Sequence, residues 1–272
     1  MIRKVLLVVL IVAPLSLYPV LRPSNETVVL PPPEPPKPVE VDQKKAFEEL
    51  AKKDPLEFLE RCLSNYEKEV PTGYTCIFDK QERVKGKLRD KESIQVYFRE
   101  KPFSVRMDWI KGNDFFLGAQ KSLYVAGVTD GFLYARPSLP GLPVLPRQLT
   151  DPQVLATSRF PITEFGMQKG AIGTVNAMRK AKERNELHVK YEGIVELKEA
   201  GNRPCYKVVR TPYNPPEEDG CNELVIFIDV DSKLQVGSIL RDRDNKLIAE
   251  YFFYNIDTNA TLTDEQFSRD AI

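Results

Sequence analysis

Between Gly73 and Ile110 the chain alternates apolar and polar residues with a period of two. In Ile94-Gln-Val-Tyr-Phe98, Ile94, Val96 and Phe98 share one face, and Gln95 and Tyr97 the other. In Ser104-Val-Arg-Met-Asp-Trp109, Val105, Met107 and Trp109 oppose Ser104, Arg106 and Asp108. Such alternation marks strands with one buried face. Tyr74–Gln81 alternates in the same way. The turns between these runs are Val84–Lys87 and Arg99–Phe103, the latter with Pro102 setting a φ angle. Three successive antiparallel strands with one apolar face require a cover.

The preceding segment supplies one. From Asp42 to Val70, the residues Phe47, Leu50, Ala51, Phe58, Leu59, Cys62, Leu63 and Tyr66 recur at helical spacing. Asp54-Pro55 divides the stretch into two helices, with Asp54 as N-cap and Pro55 at the first helical position. Downstream, Leu123–Ala126 and Phe132–Ala135 flank Thr129-Asp-Gly131, a hairpin signal. Arg136–Pro146 has prolines at every third position with leucines and a valine between them. That pattern predicts a polyproline-like loop packed on the body or capping a cavity.

Phe160–Arg184 predicts a helix with an apolar stripe of Ile162, Phe165, Ile172, Val175 and Met178. Gly166, Gly170 and Gly173 weaken it by up to about 1 kcal/mol each, which suits either a broken, lid-like helix or close packing at the glycines. Five further strands follow over Leu187–Leu197, Cys205–Arg210, Leu224–Asp229, Leu234–Leu240 and Leu247–Ile256. A capping box at Thr263-Asp-Glu-Gln266 opens a short helix carrying Phe267. This order predicts one antiparallel α+β domain over residues 43–272, without the βαβ alternation of nucleotide-binding folds.

The N-terminal stretch is different. Arg3 and Lys4 precede an apolar run from Val5 to Leu21, the pattern of an export segment over residues 1–22. Leu21-Arg22-Pro23 is a poor cleavage sequence, so an uncleaved anchor is favoured over a cleaved signal peptide. Either places the remaining chain on the periplasmic side of the inner membrane or in the periplasm. Residues 23–42 include Pro31–Pro38, a semi-rigid spacer by composition.

Composition narrows the chemistry. With 39 basic and 39 acidic residues the net charge is zero, so no basic surface attracts nucleic acid. One histidine, His188, falls in an expected strand, which argues against a Ser-His-Asp triad or a histidine zinc site. Phosphate-cradling glycine motifs are absent from the sequence, so no cofactor is expected. Asp229-Val-Asp231 and Asp242-Arg-Asp244-Asn245 read as hairpin turns rather than calcium loops. Cys62, Cys76, Cys205 and Cys221 have no CxxC spacing. In an exported chain, Cys62–Cys76 and Cys205–Cys221 are the preferred disulfides, against four reduced core cysteines. No catalytic or metal-ligating set stands out. The strongest remaining feature is apolar: Val96, Phe98, Val105, Met107 and Trp109, with Leu224, Ile226, Ile228, Phe252 and Tyr254. These residues form either a solid core or the lining of a lipid-binding cavity.

Several runs resemble an uncharacterised bacterial envelope domain of unknown function over roughly residues 55–268. They are Leu59–Tyr66, Gly73–Phe78, Lys80–Arg83, Val96–Ser104, Leu123-Tyr-Val with Asp130-Gly131, Pro161–Gly166, Arg203-Pro-Cys205, Phe227-Ile-Asp229 and Leu262–Phe267. The strand meander with its Lys-Pro turn and Met-x-Trp strand is more loosely similar to the LolA-type periplasmic lipoprotein carriers. That likeness implies an unclosed, half-open antiparallel β-barrel covered by helices, with an apolar cavity for the acyl chain of a lipid or lipoprotein and no catalysis. The alternative is a structural or sensor module with a filled barrel that binds another envelope protein. An envelope hydrolase ranks third.

Overall fold

The computed structural model describes residues 39–112, 118–129, 131–213 and 220–272. The expected export segment and most of the proline spacer lie outside these residues, as do Asp130 of the hairpin turn and the acidic loop before Cys221. Residues Val39–Ile272 form one compact unit.

Helices α1 (Val39–Lys53), α2 (Pro55–Ser64) and α3 (Tyr66–Glu69) come first. Asp54 caps α2 as its sequence predicts, accepting a hydrogen bond from the Glu57 backbone N–H, with Pro55 opening the helix. Strands β1 (Gly73–Val84), β2 (Lys87–Leu88), β3 (Glu92–Arg99), β4 (Ser104–Lys111), β5 (Ala119–Val125), β6 (Phe132–Pro137) and β7 (Leu145–Gln148) follow. Then come α4 (Pro152–Leu155) and α5 (Met167–Glu183), and finally β8 (Val189–Leu197), β9 (Arg203–Arg210), β10 (Glu223–Asp229), β11 (Gln235–Arg241) and β12 (Leu247–Asp257).

The strands form one antiparallel sheet in the order β7-β6-β5-β4-β3-β1-β12-β11-β10-β9-β8, with β2 paired to β1. The sheet is open, because β7 and β8 are its two edges. The meander β1-β3-β4-β5-β6-β7 and the meander β8 to β12 join along the β1–β12 pair, the one long-range pairing that makes a single sheet of two halves.

Helices and sheet pack through two large clusters. Ala51, Leu56, Phe58, Leu59, Cys62, Val175 and Met178 from the helices meet Tyr206, Val208, Leu224, Ile226 and Ile228 from β9 and β10. Tyr66, Val70 and Met167 meet Tyr74, Cys76, Phe78, Ile94, Val96, Phe98, Val105 and Met107 from β1, β3 and β4. A third cluster seats Phe267 and Ile272 of the C-terminal tail against Leu123 and Val125 of β5 and against Val144. In that tail the Gln266 side chain accepts from the Thr263 backbone N–H, the backbone half of the expected capping box.

Three expectations need correction. All four cysteines are free and buried. Each proposed disulfide pair is split between the two large clusters, with Cys62 and Cys221 in one and Cys76 and Cys205 in the other. Burial pushes the thiols of Cys62 and Cys205 up to about 12. Second, α5 begins at Met167 rather than Phe160. Gly166 has φ +132°, outside helical space, and Ile162 and Phe165 leave α5 for a strap over residues 156–166 that holds one short 3-10 turn, Ile162–Glu164. Gly170 and Gly173 face open space, so they make no close packing contact. Third, the proline-rich loop contributes only Val144 to a core cluster, and Leu139 and Leu142 stay exposed.

Candidate functional site

Register places the apolar lining. Tyr74, Cys76 and Phe78 on β1 lie opposite Phe98, Val96 and Ile94 on β3, and these lie opposite Val105, Met107 and Trp109 on β4. Residues directly opposite point to the same side of a sheet, so the five lining residues expected on β3 and β4 do share one face. On β12, Phe253 lies opposite Phe78 and Tyr251 opposite Lys80. Phe252 and Tyr254 lie opposite Asp79 and Ile77, which puts both on the other face. There Phe252 meets Phe227 at 6.4 Å and Tyr254 donates to Asp79 at 3.3 Å. Leu224, Ile226 and Ile228 are buried beneath the helices in the separate α1/α2/α5 cluster. The pairing of Tyr251 with Ser238, and of Ser238 with Ile226, keeps these three on the same side as the β3–β4 residues, so Phe252 and Tyr254 alone turn away and Tyr251 and Phe253 take their places.

The strap covers this face. Phe165 sits 5.3 Å edge-on to Phe78, 6.0 Å from Phe98 and 6.1 Å from Phe253 by ring centroid, and Ile162 packs on the same cluster. Phe78 stacks on Phe253 at 4.7 Å, and Phe98 on Tyr74 at 4.8 Å. Gly166 closes the strap against Phe98. A Cβ there would stand 3.3 Å from that ring, at a φ that disfavours other residues. The next amide, Met167 N–H, donates to Tyr74 Oη at 3.2 Å.

At the upper end of this face the lining turns polar. β1 keeps its alternation beyond Phe78, so Lys80 and Glu82 point the same way as the apolar residues and are buried. Lys80 Nζ lies 3.0 Å from Glu82 and 3.8 Å from Glu92. Trp109 Nε1–H donates to Glu92 at 2.6 Å, and Tyr251 Oη–H donates to Glu82 at 2.7 Å. The strap completes the cluster: Ser158 Oγ–H donates to Glu82 at 3.1 Å, and the Arg159 backbone N–H reaches it at 3.5 Å.

Burying such charges costs several kcal/mol per ion unless each is paired and hydrogen-bonded, and here every one is. Burial pushes the Glu82 carboxyl up. The Lys80 charge, with hydrogen bonds from Tyr251, Lys80 and Ser158, outweighs that and holds it below its ordinary value. Burial, then the neighbouring Glu82, pushes the Tyr251 phenol far up, so it stays a donor.

Chemically the cluster is a closed network of ion pairs and hydrogen bonds. Lys80 Nζ is 3.4 Å from Ser158 Oγ, yet the lysine is held by two carboxylates and the hydroxyl proton is directed at Glu82. Neither is placed as nucleophile or base. Among the described residues no three His, Cys, Asp or Glu side chains are grouped to hold a metal ion. His188 is exposed, and Asp229 and Asp242 accept from turn amides, as hairpin turns require. A cavity of about 10 Å³ lies among α2, α5 and the β10–β11 turn, lined by Leu59, Cys62, Tyr66, Met167, Val175 and Leu234. It has room for about one water molecule.

The polar cluster had one sequence signal, two charges in the buried phase of β1. Ser158 and Arg159 had none.

A family model described as "Protein of unknown function (DUF1571)" matches residues 71–271. No curated protein matches the chain. Among solved structures, an uncharacterised conserved protein from Thermus thermophilus is similar at 12% identity and TM-score 0.44, covering 76% of this chain and 91% of that one. The Pseudomonas aeruginosa MucA/MucB complex is similar at 14% identity and TM-score 0.43, covering 78% of this chain and 60% of that one. A LolA superfamily protein from Nitrosomonas europaea is similar at 9% identity and TM-score 0.33, covering 78% and 98%.

Proposed function

The chain belongs to the DUF1571 family, and from that premise we propose that it is a non-catalytic binding protein of the cell envelope. It takes an apolar chain between its aromatic sheet face and the strap over residues 156–166. One observation carries the reading: beside Tyr66, Val70 and Met167, the aromatic face is covered by Ile162 and Phe165 from a half-buried connecting segment that holds one short 3-10 turn, Ile162–Glu164. Lifting Phe165 and Ile162 exposes a groove lined by Phe78, Ile94, Phe98, Met107, Trp109 and Phe253. The acyl chain of a lipid or lipoprotein has the matching chemistry. The envelope location rests on the basic and then apolar pattern of residues 1–22.

The small size of the cavity among α2, α5 and the β10–β11 turn, about 10 Å³, favours a second reading, in which the module keeps its strap closed and binds another envelope protein. Titration with the uncharged fluorophore N-phenyl-1-naphthylamine separates the two. The acyl-chain reading expects saturable uptake, strengthened by Phe165→Ala and weakened by Met107→Arg. Absence of uptake by both the parent protein and Phe165→Ala overturns it and leaves the protein-binding reading.

A further inference from the structure

The polar cluster above the aromatic face specifies which headgroup can follow an apolar chain into it, an inference that rests on the acyl-chain reading. With the strap in place, the fixed charges here among the described residues are those of Lys80, Glu82, Glu92 and Arg159, two of each sign. Arg159 belongs to the strap, and its charge acts on Tyr251, beside Glu82. Ser158 and the Arg159 backbone N–H give Glu82 two of its hydrogen-bond donors. Lifting the strap therefore removes one positive charge and two donors together. What stays on the sheet is Lys80, Glu82 and Glu92, a net charge of minus one, with donors Tyr251 and Trp109 already committed to the carboxylates.

A buried carboxylate that loses its donors costs about 1–3 kcal/mol or more unless something replaces them. An incoming carboxylate or phosphate would add a second anion to an anionic pocket, which is strongly disfavoured in low dielectric. A protonated amine restores both the missing charge and the missing donors. We infer that the ligand is an amphiphile with an ammonium-bearing headgroup, which binds Glu82 where Ser158 and Arg159 now sit.

The test displaces N-phenyl-1-naphthylamine from the protein with three twelve-carbon amphiphiles below their micelle concentrations: dodecylammonium, dodecanol and laurate. Dodecylammonium is expected to displace the probe at a concentration at least tenfold lower than laurate does. Glu82→Gln is expected to cut that ratio to threefold or less. Ser158→Ala loosens the strap without changing charge and is expected to preserve the ratio. Equal or better displacement by laurate overturns the headgroup assignment while leaving the chain site standing. So does a ratio that survives both Glu82→Gln and Glu92→Gln. Failure of dodecanol and dodecylammonium alike shows that the chain site itself is wrong, and the assignment goes with it.

Discussion

Replacing Phe165 with alanine tests whether the strap is a separate element or an ordinary part of the core. The ring touches Phe78, Phe98 and Phe253 and is half-buried. Full burial of a phenylalanine stabilises by about 1.5–3 kcal/mol, so half-burial accounts for roughly 1–1.5 kcal/mol. Three aromatic contacts at the weak end of their range add about 1.5 kcal/mol. The strap therefore loses about 2–3 kcal/mol of docking free energy, which raises its opening equilibrium by roughly 30- to 150-fold. Amide hydrogen exchange followed by mass spectrometry reads this segment by segment. Peptides covering residues 156–166 are expected to exchange faster by that factor, while peptides from β3 and β10 keep their protection. If strap and sheet accelerate together, Phe165 is simply a core residue and no lid exists. Unchanged strap exchange would be equally damaging, because it would mean that the aromatic contacts do not hold the strap.

Three further outcomes follow from the same geometry. Glu82 is ionised more readily folded than unfolded, so its contribution is present above about pH 4.5 and is lost as pH falls through its lowered folded value. Strap exchange is expected to accelerate as pH falls through that lowered value, after correction for intrinsic rates, and Glu82→Gln should remove that step. Arg203 donates to Asp229, which is fully buried, through Nε at 2.5 Å and a second nitrogen at 2.9 Å. Arg203→Ala is expected to destabilise by about 1.5–3 kcal/mol, since Asp229 keeps its bonds to the turn amides, and a denaturant titration measures it. The four thiols should resist Ellman's reagent in the native protein at about pH 8 and react fully in denaturant without reductant, because all four are buried and burial also raises the thiols of Cys62, Cys76 and Cys205. Fewer than four reactive thiols after unfolding would restore a disulfide.

Much of this architecture was readable along the chain because it depends on local rules. Strands β1, β3, β4 and β8 to β12 follow from period-two patterning and turn residues, and α2 from Asp54 and Pro55. The shared face of Val96, Phe98, Val105, Met107 and Trp109 follows from alternation within two adjoining strands. The order helix, meander, helix, meander determines an antiparallel α+β fold before any contact is known.

Tertiary structure decided what alternation leaves degenerate. Tyr251-Phe252-Phe253-Tyr254 is aromatic at four consecutive positions, so no pattern of polarity says which pair faces inward; the β1–β12 register does, by setting Phe253 opposite Phe78. The same pairing turns Lys80 and Glu82 from apparent surface charges into a buried cluster, since only the strap and β12 supply Ser158, Arg159 and Tyr251. Ile162 and Phe165 fit a helical stripe in sequence, but Gly166 at positive φ breaks the helix. Phe165 then docks against Phe78 and Phe98, and Ile162 packs on the same cluster. The cysteines diverge for a similar reason: proximity in sequence says nothing about which core cluster each thiol enters, and both expected pairs are divided between the two clusters.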